Sequence, residues 1–178
     1  MKIKPFPYLL LFILIPSIGL SQKVYKSKPD PFNGNWSHET KPASIFGDYG
    51  YGRHVLVQFR QNFYPNESTQ DSTWYLLVSI KSNDVFTIRP TDSLRLKFED
   101  NQIWSFPYTK LEINIPSDYR HFWVPLNYEF VRQLQSSLLK YIRIDTEKTN
   151  QDFEISRSNA GWLMDNYYAF DKYMKKLK

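Results

Sequence analysis

The sequence predicts a mainly β domain, an antiparallel β-sandwich of immunoglobulin-like or similar type with one short and one C-terminal helix. Three observations carry that prediction. Short runs rich in Val, Ile, Leu, Phe, Tyr and Trp alternate apolar and polar residues, as in half-buried strands. Asn, Asp, Pro and Ser punctuate these runs at turn positions. Only two stretches show helical spacing, near 127–138 and near 160–176. Many short strands joined by turns favour a sandwich or barrel over a layered α/β fold.

Along the chain, "RHVLVQFR" places Val55, Val57 and Phe59 on one face, with Gln58 and Arg60 opposite. "WYLLVSIK" does the same with Trp74, Leu76, Val78 and Ile80. Further strand candidates are "VFTIR" after an Asn83-Asp84 turn, "SLRLKFE", "QIWSF", "KLEINIP" and "HFWVP". In "PLNYEFVRQLQSSL", Asn127 is placed to cap a helix, and Leu126 and Val131 have the spacing of a hydrophobic staple. Phe130, Leu134 and Leu138 then form one apolar stripe. "KYIRID" returns to strand with Ile142 and Ile144 inward, and "DFEIS" reads as an edge strand. Ser158 is the expected cap of the closing helix, whose Asp165 and terminal lysines suit the helix dipole. The glycine- and proline-rich segment 22–52 reads as loop packed over the body of the domain. Residues 53–178 read as the single sandwich domain with its C-terminal helix.

Residues 1–21 have the form of a secretory signal. Lys2 and Lys4 precede the apolar run "YLLLFILIPSIGL", and Gly19 and Ser21 supply small residues before a cleavage point at Gln22. The rival reading, a retained anchor, needs about 20 apolar residues, and this run is shorter. Cleavage leaves 157 residues, enough for one domain with a sizeable core. The chain contains no cysteine, so disulfides and thiol catalysis are excluded. Export without disulfides points to the periplasm or the cell surface of a Gram-negative bacterium. The formal charge is +5. Removing Lys2 and Lys4 leaves 21 basic against 18 acidic side chains, a mild excess gathered in "KYMKKLK". Nucleic-acid binders concentrate charge in a stripe along one element or face; no such stripe exists here, so no nucleic-acid partner is expected.

The stretch "KFEDNQIWSF" is the clearest hairpin. With Asp100-Asn101 at the centre of a two-residue turn, Lys97 would face Trp104 and Arg95 would face Phe106. Leu94, Leu96, Phe98 and Ile103 would form a core-facing set. An aromatic pair beside two cations stabilises a sheet, and an exposed tryptophan also suits a sugar ring. The structural role is favoured, with a helix or the N-terminal segment over Trp104.

From about Leu76 to Asp145, the acid-turn dipeptide, the "IW" return strand and "VPLNYEFVRQL…LLKYIRID" resemble a group of uncharacterised exported bacterial β-sandwich proteins. The resemblance implies the fold. It implies no catalytic residue.

Several chemistries lack their residues. His38, His54 and His121 stand far apart without metal-ligand spacing, and each reads as a surface or hydrogen-bonded residue; neither a metal nor a cofactor is expected. Nucleophile elbows and phosphate-binding loops are absent. Paired carboxylates need no motif, so Glu99, Asp100, Glu112, Asp118 and Asp145 form the pool for a glycoside hydrolase-like alternative. The leading expectation is a non-catalytic domain that binds a protein partner as a subunit or accessory of an envelope assembly, reaching the membrane only through that partner. Its basis is an aromatic content of 17%, since Tyr, Trp and Phe are enriched in interface cores. Tyr49 and Tyr51 of "FGDYGYG" and the Tyr167-Tyr168 pair are the candidate contacts. A carbohydrate-binding module is the other alternative, with Trp104, Phe106 and Trp123 as its platform.

Overall fold

Antiparallel pairing divides the strands between two sheets of unequal width. The computed structural model describes residues 24–29, 31, 34–48, 52–64, 73–81, 89–114, 119–147 and 150–176. In chain order the strands are β1 (Val24–Lys26), β2 (Trp36–Thr40), β3 (Ala43–Asp48), β4 (Arg53–Phe63), β5 (Thr73–Lys81) and β6 (Ser93–Phe98). They continue with β7 (Ile103–Pro107), β8 (Glu112–Asn114), β9 (Tyr119–Pro125), β10 (Leu139–Ile144) and β11 (Gln151–Glu154). Helix α1 (Tyr128–Ser136) lies between β9 and β10, and α2 (Arg157–Lys175) closes the chain. The wide sheet runs β1-β2-β4-β5-β9-β8, and the narrow sheet runs β11-β10-β6-β7. At 11 residues, β4 is long enough to pair β3 along its first half and β2 along its second.

The period-two faces meet in one core. Val55, Val57, Phe59, Leu76, Val78, Ile80, Phe122 and Val124 come from the wide sheet; Leu94, Leu96, Phe98, Ile142, Ile144 and Phe153 come from the narrow one. The mainly β sandwich expected from the sequence is therefore the observed architecture. Because the narrow sheet cannot cover the wide one, α2 fills the remainder. Its Tyr167 and Phe170 rings lie 5.5 and 6.2 Å from that of Phe59, and Phe170 also meets Trp74 edge-on at 5.6 Å.

Local chemistry sets the helix ends. The Asn127 side chain accepts a hydrogen bond from the Phe130 N–H at 2.8 Å, as an N-cap does. In α2 the cap is Ser156 rather than Ser158, its hydroxyl accepting from the Asn159 N–H. Ser156 has the extended backbone that caps require, and the helix simply starts earlier than 160.

Two further expectations need correction. Segment 22–52 is largely strand where described, since β1, β2 and β3 all fall within it. "WSHET" looks too polar for a strand, yet Ser37, His38 and Thr40 are buried. The Thr40 hydroxyl accepts from the Phe59 N–H, so pairing and α2 bury what the local pattern does not mark. "VFTIR" lies outside the described residues save Arg89.

The second correction concerns the hairpin, which is shifted by one residue. Lys97 pairs with Ile103, Leu96 with Trp104, Arg95 with Ser105 and Leu94 with Phe106. The loop has three residues, 99–101. Asn101 adopts φ 68°, and its N–H returns to the Phe98 carbonyl. A three-residue loop ending in a left-handed residue is the next commonest hairpin type. A one-residue slip exchanges the two faces of a strand. Trp104 and Phe106 therefore turn inward with Leu94 and Leu96, and Ile103 turns outward to 59% exposure.

Candidate functional site

The inward turn of β7 decides the fate of its aromatics. Trp104 and Phe106 pack on the buried Phe130 of α1, with ring centroids 5.2 and 5.3 Å away. A helix does cover Trp104, and the exposed platform drawn from the expected register does not form.

Other tryptophan rings also have neighbours. Trp36 carries Phe63 stacked at 3.8 Å and the Lys26 ammonium 3.9 Å from its centroid. Trp123 lies on the outer face of the wide sheet, edge-on to Tyr75, with the Arg60 guanidinium 4.9 Å from its centroid. The Tyr167 and Tyr168 rings meet edge-on at 5.8 Å, but only one of them reaches solvent. Successive helical residues point about 100° apart, so Tyr167 is buried and Tyr168 is 46% exposed. Burial pushes the Tyr167 hydroxyl up to about 12. Tyr49 and Tyr51 lie outside the described residues.

The acids of the candidate pool are separately engaged. Asp100 accepts from Gln133 at 2.8 Å and from the Gln102 N–H at 3.0 Å. The Gln133 bond is the main reason its carboxyl lies below the ordinary range. Glu99 sits 3.6 Å from Arg157. Glu112 stands at the solvent side of β8, and Asp118 lies outside the described residues. Asp145 is buried, bonded by Ser93 and ion-paired to Arg95, both at 2.8 Å. Among the described residues no three His, Cys, Asp or Glu side chains gather as a metal site would require.

The feature the sequence did not reveal is the solvent face of the narrow sheet. Arg95, Lys97, Ile103, Tyr141, Arg143 and Asp152 line an open groove of about 470 Å³ there. Four strands bring these residues side by side, since Tyr141 pairs with Lys97 and Glu154, and Arg143 with Arg95 and Asp152. Arg143 grips Asp152 with two hydrogen bonds of 2.6 and 2.7 Å, which hold that carboxyl below its ordinary range. The Tyr141 hydroxyl donates to Glu154 at 2.9 Å. Lys97 has no ion pair among the described residues. The result is an exposed isoleucine within a ring of cations and a tyrosine. The alternation of charged residues on β6, β10 and β11 was legible, but only the true register brings Ile103 to this face.

Of the histidines expected to be surface or hydrogen-bonded residues, His121 is hydrogen-bonded and His38 departs from that role. His121 Nδ1 lies 2.6 Å from the Ser79 hydroxyl, a contact 42 residues apart in sequence that no motif announces. Ser79 is buried, so this contact pins β5 to β9 on the outer face. His38 is buried against Trp36, Phe63 and Tyr173, and its Nδ1 lacks a hydrogen-bond partner among the described residues. Burial, and secondarily Lys26, depress its pKa below the ordinary 6.5; burial does the same to His121. The unfolded chain then binds protons more readily than the folded one. Stability is full above the unfolded value and falls as pH drops below about 6.5. Urea midpoints measured across that range should decline toward acid, and His38→Phe should flatten part of the decline. An unchanged slope in the variant would remove His38 as the cause.

No helix among the described residues is long and apolar enough to cross a membrane. Comparison with known proteins found no matching family model, curated protein or solved structure. The fold alone brings no activity with it.

Proposed function

We propose that this chain is an exported, non-catalytic domain that binds a protein partner of the bacterial cell envelope. The groove on the narrow sheet is the proposed contact surface. One observation carries the reading: Ile103, 59% exposed, stands among Arg95, Lys97, Tyr141 and Arg143 on an open sheet face. An apolar centre with an Arg- and Tyr-rich surround is how protein interfaces are built. The leader-like residues 1–21 and the absence of cysteine support export to a Gram-negative periplasm or surface.

The alternatives receive less support. A sugar platform needs coplanar open aromatic faces, whereas Trp104 and Phe106 pack on Phe130 and Trp123 carries Arg60. A glycosidase needs two carboxyls about 5–9 Å apart on a cleft, and Asp100 and Asp145 are each held by structural partners.

The test is affinity capture from detergent-solubilised envelopes of the native host, using tagged protein and an Ile103→Asp control. The expected result is specific co-purification of an envelope protein with the parent chain, lost in the variant. Empty capture by the parent, or equal capture by both, would sink the proposal.

A further inference from the structure

Five strand edges are left unpaired among the described residues, and they are treated very differently. β1 and β8 have only three residues each. β3 carries an irregularity between Ser44 and Phe46, and the Ile45 carbonyl within it is taken by the Asn159 side chain of α2. β11 bears Asp152 and Glu154, and Arg53 caps its Asp152 carbonyl at 2.9 Å. Short length, bulges, charge and covering groups are the devices that stop edges from pairing. β7 has none of them before Pro107. Its sequence, IWSFP, is uncharged.

The hydrogen-bond phase of β7 is fixed at both ends. The Phe98 N–H bonds the Gln102 carbonyl, and the Tyr108 N–H bonds the Asp92 carbonyl. In an antiparallel ladder, bonded and non-bonded pairs alternate. Gln102, Trp104, Phe106 and Tyr108 therefore bond toward β6, while the N–H and C=O groups of Ile103 and Ser105 point outward. Both residues are exposed.

We infer that β7 pairs antiparallel with β7 of a second copy, about a two-fold axis at Trp104, joining two narrow sheets into one. Ile103 of each copy then pairs with Ser105 of the other, satisfying four donors and four acceptors in a self-complementary way. Pro107, lacking an N–H, ends the ladder there. The half-buried Trp104 rings meet at the axis. Charge fits as well. The antiparallel arrangement brings the acidic turn Glu99-Asp100 of one copy toward the end of β7 of the other, where the exposed Lys110 stands. The occupant is thus a second copy rather than an unrelated strand, because both ends of the edge complement each other in charge. Ile103 belongs to both the groove and this edge, yet the two readings fail separately: one through the mass of the purified protein, the other through capture.

Sedimentation of the purified protein over a concentration series up to about 100 µM tests it. The expected result is a species of twice the monomer mass. Ile103→Lys and Ser105→Pro, the latter removing an outward N–H, should each weaken dimerisation about tenfold or more with the circular dichroism spectrum retained. A register test uses milder changes. In a chain without cysteine, an oxidised mixture of Ile103→Cys and Ser105→Cys proteins should give a disulfide-linked dimer more readily than either alone. A monomer throughout the series, or no preference for the mixed disulfide, would overturn the inference.

Discussion

Phe130→Ala should destabilise the protein by about 3–5 kcal/mol, the range for truncating a fully buried phenylalanine. Phe130 is 0% exposed and is the residue on which three rings converge, those of Phe98, Trp104 and Phe106. It joins α1 to the inner side of the β6–β7 hairpin. Its loss leaves a cavity lined by rigid rings that cannot collapse into it. Denaturant midpoints measure the cost, and tryptophan emission should shift to the red as water reaches Trp104. Phe130→Leu should recover most of the stability, since a nearly volume-conserving swap costs under about 1.5 kcal/mol. A loss below about 1 kcal/mol for the alanine variant would mean that α1 does not seal this flank.

Asp145→Ala should cost about 1–3 kcal/mol. Asp145 is 7% exposed; its carboxylate accepts a hydrogen bond from Ser93 and is ion-paired to Arg95. Its backbone also ties the sheet end together, since the Asp145 N–H bonds Ser93 and its carbonyl accepts from the Tyr108 hydroxyl. Removing the carboxylate takes away the acceptor of the buried Ser93 O–H, whose oxygen still accepts from Arg95. Arg95 is half-exposed and regains water, so the loss stays below the 3–5 kcal/mol of a fully buried charge left alone. Arg95→Met should cost less than Asp145→Ala, and a double-mutant cycle measures their coupling. The same substitutions disturb the groove, because Arg95 lines it. Envelope capture should therefore weaken in Asp145→Ala protein that remains folded. If stability is unchanged, the Ser93–Asp145–Arg95 contacts are surface ornaments of the sheet.

The folded architecture was largely legible because its signals are local. Val55, Val57 and Phe59, or Leu76, Val78 and Ile80, declare a strand and its inward face by alternation alone. Asn127 declares a helix start because its side chain bonds a backbone N–H only three residues away. The edge strand at "DFEIS" was equally plain. The legible part stops where burial comes from distant elements. Ser37, His38 and Thr40 are buried by β4 and α2, so "WSHET" reads as loop until its partners are known.

The candidate site was far less legible, and the hairpin shows why. A two-residue turn at Asp100-Asn101 and a three-residue loop ending at Asn101 are both acceptable to the local sequence. They place Trp104 and Ile103 on opposite faces. The choice falls to tertiary packing. Phe130 lies beneath the sheet and takes up Trp104 and Phe106, burying more apolar surface than Ile103 would in their place. By itself the sequence determined most of the strands from Arg53 onward, the two helices and the lack of thiol chemistry, because each is read without knowing what packs against it. Only the tertiary structure decided which way β7 faces, and with it the groove around Ile103 and the open edge, because a register is settled by what packs against it.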